Sequence, residues 1–268
     1  MAVSLPSAPE GEDRMTSFTT VQTAAMQRAL RAAASPDAPP GPNPRVGCVI
    51  LSPDGDILAE GHHRGAGSAH AEVDALANLA ATGASARGTT AVVTLEPCNH
   101  QGRTGPCVQA LLDAGVAEVI YAQDDPTEQA GGGATALEAA GVRVRRGLCA
   151  QEATCLNRPW LLAVTRGRPM VTWKLAATLD GRIAAADGTS QWITPVAARH
   201  DAHRLRRQCD AIMVGTGTAL ADDPALTVRD EAGQPAPAHL QPLRVVVGSR
   251  SLPPTSRVLA DDHYLLLP

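Results

Sequence analysis

The chain has 268 residues, 44% of them hydrophobic but only 2% aromatic, and a formal net charge of −4, enough apolar material for two packed domains. The acidic balance, without a Lys/Arg stripe, argues against a nucleic-acid binder working by charge, and no apolar run reaches the roughly 18 residues of a membrane span. Six cysteines are sparse for a disulfide framework and point instead to metal binding or chemistry in a reduced, cytoplasmic protein.

Residues 1–17 have neither a basic n-region nor an apolar h-region and read as a disordered tail. Thr19 to Ser35 places Ala25, Met26, Ala29, Leu30 and Ala33 on one helical face, and the proline-rich PDAPPGPNP ends that helix. RVGCVILS reads as a strand, PDGD as a hairpin turn and ILAEGHHR as the returning strand. AEVDALANLAATGA is a second helix, with Val73, Leu76, Ala77 and Ala80 as its expected buried stripe and Gly83 as its stop. TTAVVTLE is a buried strand, PCVQALLDAGV a helix and AEVIYAQ a strand, and a further helix and strand follow in ATALEAAGVRVRRG. This order predicts a layered α/β domain over 18–148. Residues 149–169 form a helical connection. A second α/β domain over 170–268 begins with MVTWKLAATLDGRIA, read as mostly strand. PVAARHDAHRLRRQC is helix, DAIMVGTGT a strand running into a glycine-containing turn, EAGQPAPAHLQP a loop, and LRVVVGS and HYLLL are strands. A parallel strand this near the end lacks its crossover helix and next neighbour, so the second domain reads as incomplete.

The chemistry concentrates around His70, Glu72, Cys98 and Cys107. A catalytic Zn²⁺ takes three protein ligands and leaves a fourth place for water, and one histidine with two cysteines supplies that set. Glu72, two positions after His70, is the candidate proton carrier. Residues i and i+2 do not share a helix face, so the pair works best at a helix start, with His70 in the cap region and Glu72 in the first turn. Cys98 follows a strand and Cys107 opens a helix, where thiolates are favoured. H-x-E with P-C-x-x-C is the signature of zinc nucleobase deaminases. HAE and EPC match it, although the cysteine spacing here is longer. A purely structural zinc with His100 as fourth ligand is the alternative, and it leaves Glu72 without a role.

NPRVG at Asn43, HAEV at His70 and TLEPCNHQGRTGPC together resemble the deaminase half of the bifunctional riboflavin-biosynthesis deaminase/reductase family. That family carries an eight-residue insertion between its cysteines, and the resemblance runs through ADDPALTVR from about Thr16. It implies a three-layer, cytidine-deaminase-like domain that hydrolytically deaminates 2,5-diamino-6-ribosylamino-4(3H)-pyrimidinone 5′-phosphate. Glu72 would carry a proton from water to the leaving ammonia, and Asn43 would hold the substrate. Asn43 also fits a turn residue before Pro44, and His63, His100 and Arg103 are either substrate contacts or solvated loop residues. Gly105 departs from the proline common at that place in the family.

VTWKLAATLDGRIA, SQWIT, HRLR and VGTGTALADDPALTVR resemble the family's dihydrofolate-reductase-like domain, which uses NADPH to reduce the ribose of the deaminated product. The resemblance implies cofactor contacts at Ala176, Trp192, Thr218, Asp222 and Ser249, and substrate contacts at Ser190, Arg206, Leu226 and Arg229. Arg206 and Arg229 suit a phosphate clamp, although solvated arginines are the commoner reading of such positions, Trp192 suits either a stack on a ring or a core position, and Lys174 and Asp180 either orient groups or pair. The family's glycine-rich cofactor segment has no counterpart in these residues, so reduction by this stretch alone is in doubt. The expected partner is a small phosphorylated pyrimidine, with no nucleic acid and no membrane, and the protein is expected to be a homo-oligomer. Two other classes stand beside this one. A nucleic-acid base deaminase would favour P-C-x-x-C and a basic or aromatic face. A non-catalytic nucleotide binder would have no need of Glu72.

Overall fold

The computed structural model describes residues 17–36, 38, 41–100, 105–190 and 192–268. Most of the expected N-terminal tail, together with Arg103, lies outside the described residues. The chain forms two compact units. Pro44–Pro169, with the helix ahead of it, makes the first, and Met170–Pro268 makes the second, which also takes in Asn43.

In the first unit, α1 (Thr20–Ala33) opens on a capping box in which the Thr19 hydroxyl accepts from Gln22 N–H and the Gln22 side chain accepts from Thr19 N–H. Such a cap contributes about 1 kcal/mol. Ala25, Met26, Ala29 and Ala33 are buried and Leu30 packs beside them. There follow β1 (Gly47–Leu51), β2 (Ile57–His62), α2 (Ala71–Ala81), β3 (Thr90–Val93), α3 (Cys107–Asp113), β4 (Glu118–Tyr121), α4 (Gly133–Ala139) and β5 (Arg143–Arg146). Helices α5 (Ala150–Leu156) and α6 (Arg158–Arg166) complete the unit.

The sheet order is β2-β1-β3-β4-β5, with β1 antiparallel to both neighbours and β3, β4 and β5 mutually parallel. Strand side chains alternate between faces. Cys48, Ile50, Ala91, Val93, Val119 and Tyr121 therefore meet α2, α3 and α4 on one side. Val49, Leu51, Val92 and Ile120 meet α1 and Ala153 of α5 on the other. Two cores, one on each face, make three layers.

The buried face of α2 departs from the expected stripe. Ala71, Glu72, Ala75 and Leu79 are buried, whereas Ala77 and Ala80 are exposed and Val73 and Leu76 are half-buried. Backbone proximity explains the rotation. A Cβ on Gly61 of β2 would lie 2.3 Å from Ala75 N and 2.7 Å from Ala71 O, so the helix rests directly on β2 and presents its smallest residues there. The helix does stop near Gly83, which takes a left-handed φ of +80°.

The second unit contains α7 (Val196–Arg207), β6 (Ala211–Gly215), α8 (Thr216–Asp222), β7 (Leu243–Val247) and β8 (Tyr264–Leu267). The strands are parallel in the order β6-β7-β8. A small core of Ala219, Leu226, Val246 and Val258 sits among them. The expected turn after β6 is the first turn of α8. The expected strand in MVTWKLAATLDGRIA is absent from the described residues: 170–184 is neither strand nor helix, and Val171 and Trp173 are 85% and 82% exposed. Strand-forming composition needs a ladder partner and a covering layer, and this segment pairs with no described strand.

Candidate active site

Three junctions converge on one point in the first unit. His70 is the N-cap residue of α2 and has an extended backbone, Glu72 lies in the first turn, Cys98 follows β3 and Cys107 is the first residue of α3. The two cysteine segments are stitched together by Val108 N–H on Cys98 O at 3.2 Å and Cys107 N–H on Cys98 Sγ at 3.5 Å. His70 Nδ1 lies 3.2 Å from Cys107 Sγ and 3.5 Å from Cys98 Sγ.

Zn–S and Zn–N bonds of about 2.3 and 2.0 Å at tetrahedral angles give an N···S edge of about 3.5 Å, so this donor set fits a zinc ion. These three residues are the only group of three or more metal-type ligands among the described residues, and His100 stands outside it. The His100 ring is half-buried, and its Nδ1 is buried without a hydrogen-bond partner.

The electrostatics of the protein groups alone suit a cation. The Cys107 thiol donates to Cys98 and, with His70 adjacent, holds the Cys98 pKa down near 4, while Cys107 itself is pushed up. The Cys98 sulfur, accepting from the His70 ring, raises the His70 pKa. Glu72 is 3% exposed, and burial lifts its carboxyl to about 7. Metal binding requires both sulfurs as thiolates, and a divalent ion compensates the negative charge that the bare cluster resists.

Glu96 has a structural role that its place in the sequence does not by itself reveal. It is buried, and its carboxylate accepts from the backbone N–H groups of Asp125 at 3.2 Å, Gly132 at 3.1 Å and Ala134 at 3.0 Å. It thereby ties the loop after β4 and the start of α4 to the strand end that carries Cys98. A Cβ on Gly133 would sit 1.8 Å from Pro97 O, so only glycine permits that approach. A buried acid immediately before Pro-Cys was the available signal.

His63 is buried, with Nδ1 3.0 Å from Ala69 O, and its ring meets the His70 ring edge-on at 5.4 Å between centroids. Asn43 is half-buried ahead of β1.

The residues singled out in the second unit gather only in part. Arg206 Nη1 donates to Thr227 O at 2.6 Å, and Arg229 N–H donates to His203 Nδ1 at 3.3 Å. Burial, followed by Arg229, lowers the Arg206 pKa, while burial, Arg206 and Arg229 lower that of His203. Among the described residues neither arginine has a carboxylate partner. Arg206 Nε and the Thr227 hydroxyl are buried and unpaired. Two cations, an imidazole and a hydroxyl without an acid form a place for an anion. Leu226 instead puts its side chain into the small core, at a left-handed φ of +53°. Thr218, Asp222 and Ser249 are exposed, Ala176 and Ser190 are half-buried, and Trp192 is 69% exposed with the Arg199 guanidinium over its ring. No described hydrogen bond or ion pair joins these six. Lys174 is exposed, and the exposed Asp180 lies beside Arg182.

The two units correspond to two known domain types. Residues 19–123 match the cytidine and deoxycytidylate deaminase zinc-binding region, and residues 169–267 match the RibD C-terminal domain. The chain thus joins an α/β zinc-deaminase domain to an α/β domain of the RibD reductase type. It is 54% identical over 227 residues to the riboflavin biosynthesis protein RibD of Mycobacterium tuberculosis, covering 84% of this chain and 66% of that protein. Against RibD of Escherichia coli it is 47% identical over 243 residues, covering 87% and 65%. The crystal structure of the diaminohydroxyphosphoribosylaminopyrimidine deaminase/5-amino-6-(5-phosphoribosylamino)uracil reductase of Thermotoga maritima superposes with a TM-score of 0.84 at 34% identity, covering 92% of this chain and 69% of that one. RibD of Acinetobacter baumannii gives 0.83 at 40% identity, covering 92% and 70%. The chain belongs to the RibD family, and it spans 66% or less of the length of the curated relatives named here.

Proposed function

We propose that the chain catalyses the hydrolytic deamination of 2,5-diamino-6-ribosylamino-4(3H)-pyrimidinone 5′-phosphate in riboflavin biosynthesis, and that its second half belongs to the NADPH-dependent reduction of the product's ribose. In this reading 18–148 is the deaminase domain, 149–169 the connection and 170–268 the reductase domain. The observation that carries it is the convergence of His70 Nδ1 with the Cys98 and Cys107 sulfurs, with the buried Glu72 in the first turn of the helix that His70 caps. His70, Cys98 and Cys107 would hold Zn²⁺, which when bound acidifies and polarises water. Glu72 takes a proton from the attacking water and delivers it to the exocyclic nitrogen. Water oxygen becomes the ring carbonyl, and the C–N bond breaks to release ammonia. Asn43, His63, His100 and Arg103 are assigned to substrate. A side-chain amide both donates to and accepts from a pyrimidinone edge.

In the second half, Arg206 and Arg229 take the substrate phosphate, and Ser190 and Leu226 are assigned to the same substrate. Ala176, Trp192, Thr218, Asp222 and Ser249 would hold NADPH, which when bound would supply the hydride for reduction of the ribose. The free state of the described cysteines suits a cytoplasmic site. Exposed apolar side chains such as Val171, Trp173 and Met213 suit a homo-oligomer, which light scattering of the purified chain tests. No described helix is long and apolar enough to cross a membrane.

The test of the catalytic reading is direct. The purified protein carries about one zinc per chain and releases ammonia from the diaminopyrimidinone phosphate. Absence of both, in folded protein, overturns it.

A further inference from the structure

The loop from β2 to α2 must deliver His70 to two sulfurs on other segments, and the helix itself does little to aim it. His70 has φ −69° and ψ 159° and makes no side-chain cap bond. The loop is closed by its own polar groups instead. Asp74 of α2 accepts from His62 N–H at 3.0 Å and from the Arg64 guanidinium at 2.7 Å. Ser68 Oγ accepts from Arg64 N–H at 3.1 Å and donates to Gly65 O at 2.7 Å. The last peptide before the ligand is gripped by His63, whose Nδ1 is 3.0 Å from Ala69 O and 3.2 Å from Ser68 Oγ. A carbonyl oxygen can only accept, so the proton is on Nδ1. Ala69 C=O and His70 N–H belong to one rigid peptide plane. Holding that oxygen therefore sets the direction from which the His70 side chain departs. The His63 ring also stands edge-on to the His70 ring, at 77°.

We propose that His63 is a positioning residue for the metal centre: its Nδ1–H on Ala69 O, with the edge contact to the His70 ring, holds His70 Nδ1 on the two cysteine sulfurs. This rests on the zinc reading above and deepens it. It assigns His63 a task in the substrate-free protein, distinct from a contact with ribose or phosphate through the other ring nitrogen.

The two ring nitrogens can be tested separately. An asparagine amide places its NH₂ near the position of Nδ1, and a glutamine amide reaches the position of Nε2. Zinc affinity is measured in the full chain by chelator competition for His63→Asn, His63→Gln and His63→Ala, and the visible spectrum of the cobalt(II)-substituted proteins reports ligand geometry without substrate. Loss of a group that orients a ligand costs roughly 10- to 100-fold in metal affinity. The expected result is that His63→Ala and His63→Gln weaken zinc by that factor and shift the cobalt bands, while His63→Asn recovers most of both. Native-like zinc affinity and cobalt spectrum in His63→Gln, or in a folded His63→Ala, overturn the proposal even if the KM for substrate rises. Failure of the native protein to bind zinc at all overturns the metal reading, and this inference with it.

Discussion

Two carboxylates, Glu72 two positions after His70 and Glu96 two positions before Cys98, do unlike work, and single substitutions separate them. Glu72 is buried beside the triad. Glu72→Gln preserves shape and hydrogen bonding but cannot carry a proton. Folded protein with normal zinc content is expected, with ammonia release lowered roughly 10²- to 10⁴-fold. Parallel zinc and ammonia assays check it, and undiminished turnover removes Glu72 from the mechanism. Glu96 accepts three backbone N–H groups. Glu96→Gln replaces one acceptor oxygen with an NH₂ that confronts a donor, leaving at least one buried N–H unpaired. That costs about 1–3 kcal/mol, read as a lower urea midpoint with unchanged slope. The main effect is on stability rather than on the proton step.

At the scale of elements, close backbone approach and side-chain-to-backbone ties decide where the site forms. In Gly61→Ala the new methyl meets Ala75 N at 2.3 Å. α2 must lift from β2, which costs about 1–3 kcal/mol by overpacking, and zinc affinity falls because α2 carries His70 and Glu72. Gly67→Ala is the control: its φ is +90° but nothing lies within 4 Å, so it pays only the backbone cost of roughly 1 kcal/mol. Asn157, at the α5–α6 junction and 2% exposed, behaves as a strand partner for Arg45, accepting Arg45 N–H at 2.8 Å and donating to Arg45 O at 2.9 Å. Asn157→Ala orphans both groups at the entrance to β1, and a loss of about 1–3 kcal/mol is expected in thermal or urea unfolding. None of these ties was legible in the sequence. Arg45 and Asn157 are 112 positions apart, and no periodicity marks a side chain that bonds to a distant backbone. β1, β3 and β4 were legible because burial on both faces leaves nearly unbroken apolar runs, interrupted only by Thr90 and Glu118 at the first positions of β3 and β4. The α2 face was not, because the close contact at Gly61 favours small residues over large ones. Strand propensity misled at 170–184, where composition is strand-like but no described strand offers a ladder.

Across the whole molecule, each unit has its own core and its own cluster of chemistry-bearing groups, so the two proposed activities should be separable by mutation. The clearest lever is Arg206. It is held by the Thr227 carbonyl, faces Arg229 without a carboxylate partner, and keeps a buried, unpaired Nε. A guanidinium in that state is costly to bury unless an anion completes it. Arg206→Gln removes one charge-assisted contact to a phosphate, a loss of about 1.5–3 kcal/mol, which is roughly a 10- to 100-fold rise in the KM for deaminated product. NADPH consumption, followed by the loss of reduced-nicotinamide absorbance, measures that rise. Ammonia release from the diaminopyrimidinone phosphate by the same preparation should stay within about twofold of native, because the described partners of Arg206, Thr227 and Arg229, belong to the second unit. A parallel fall in both rates would mean that the units share their chemistry, and a normal KM for reduction would mean that the phosphate is held elsewhere.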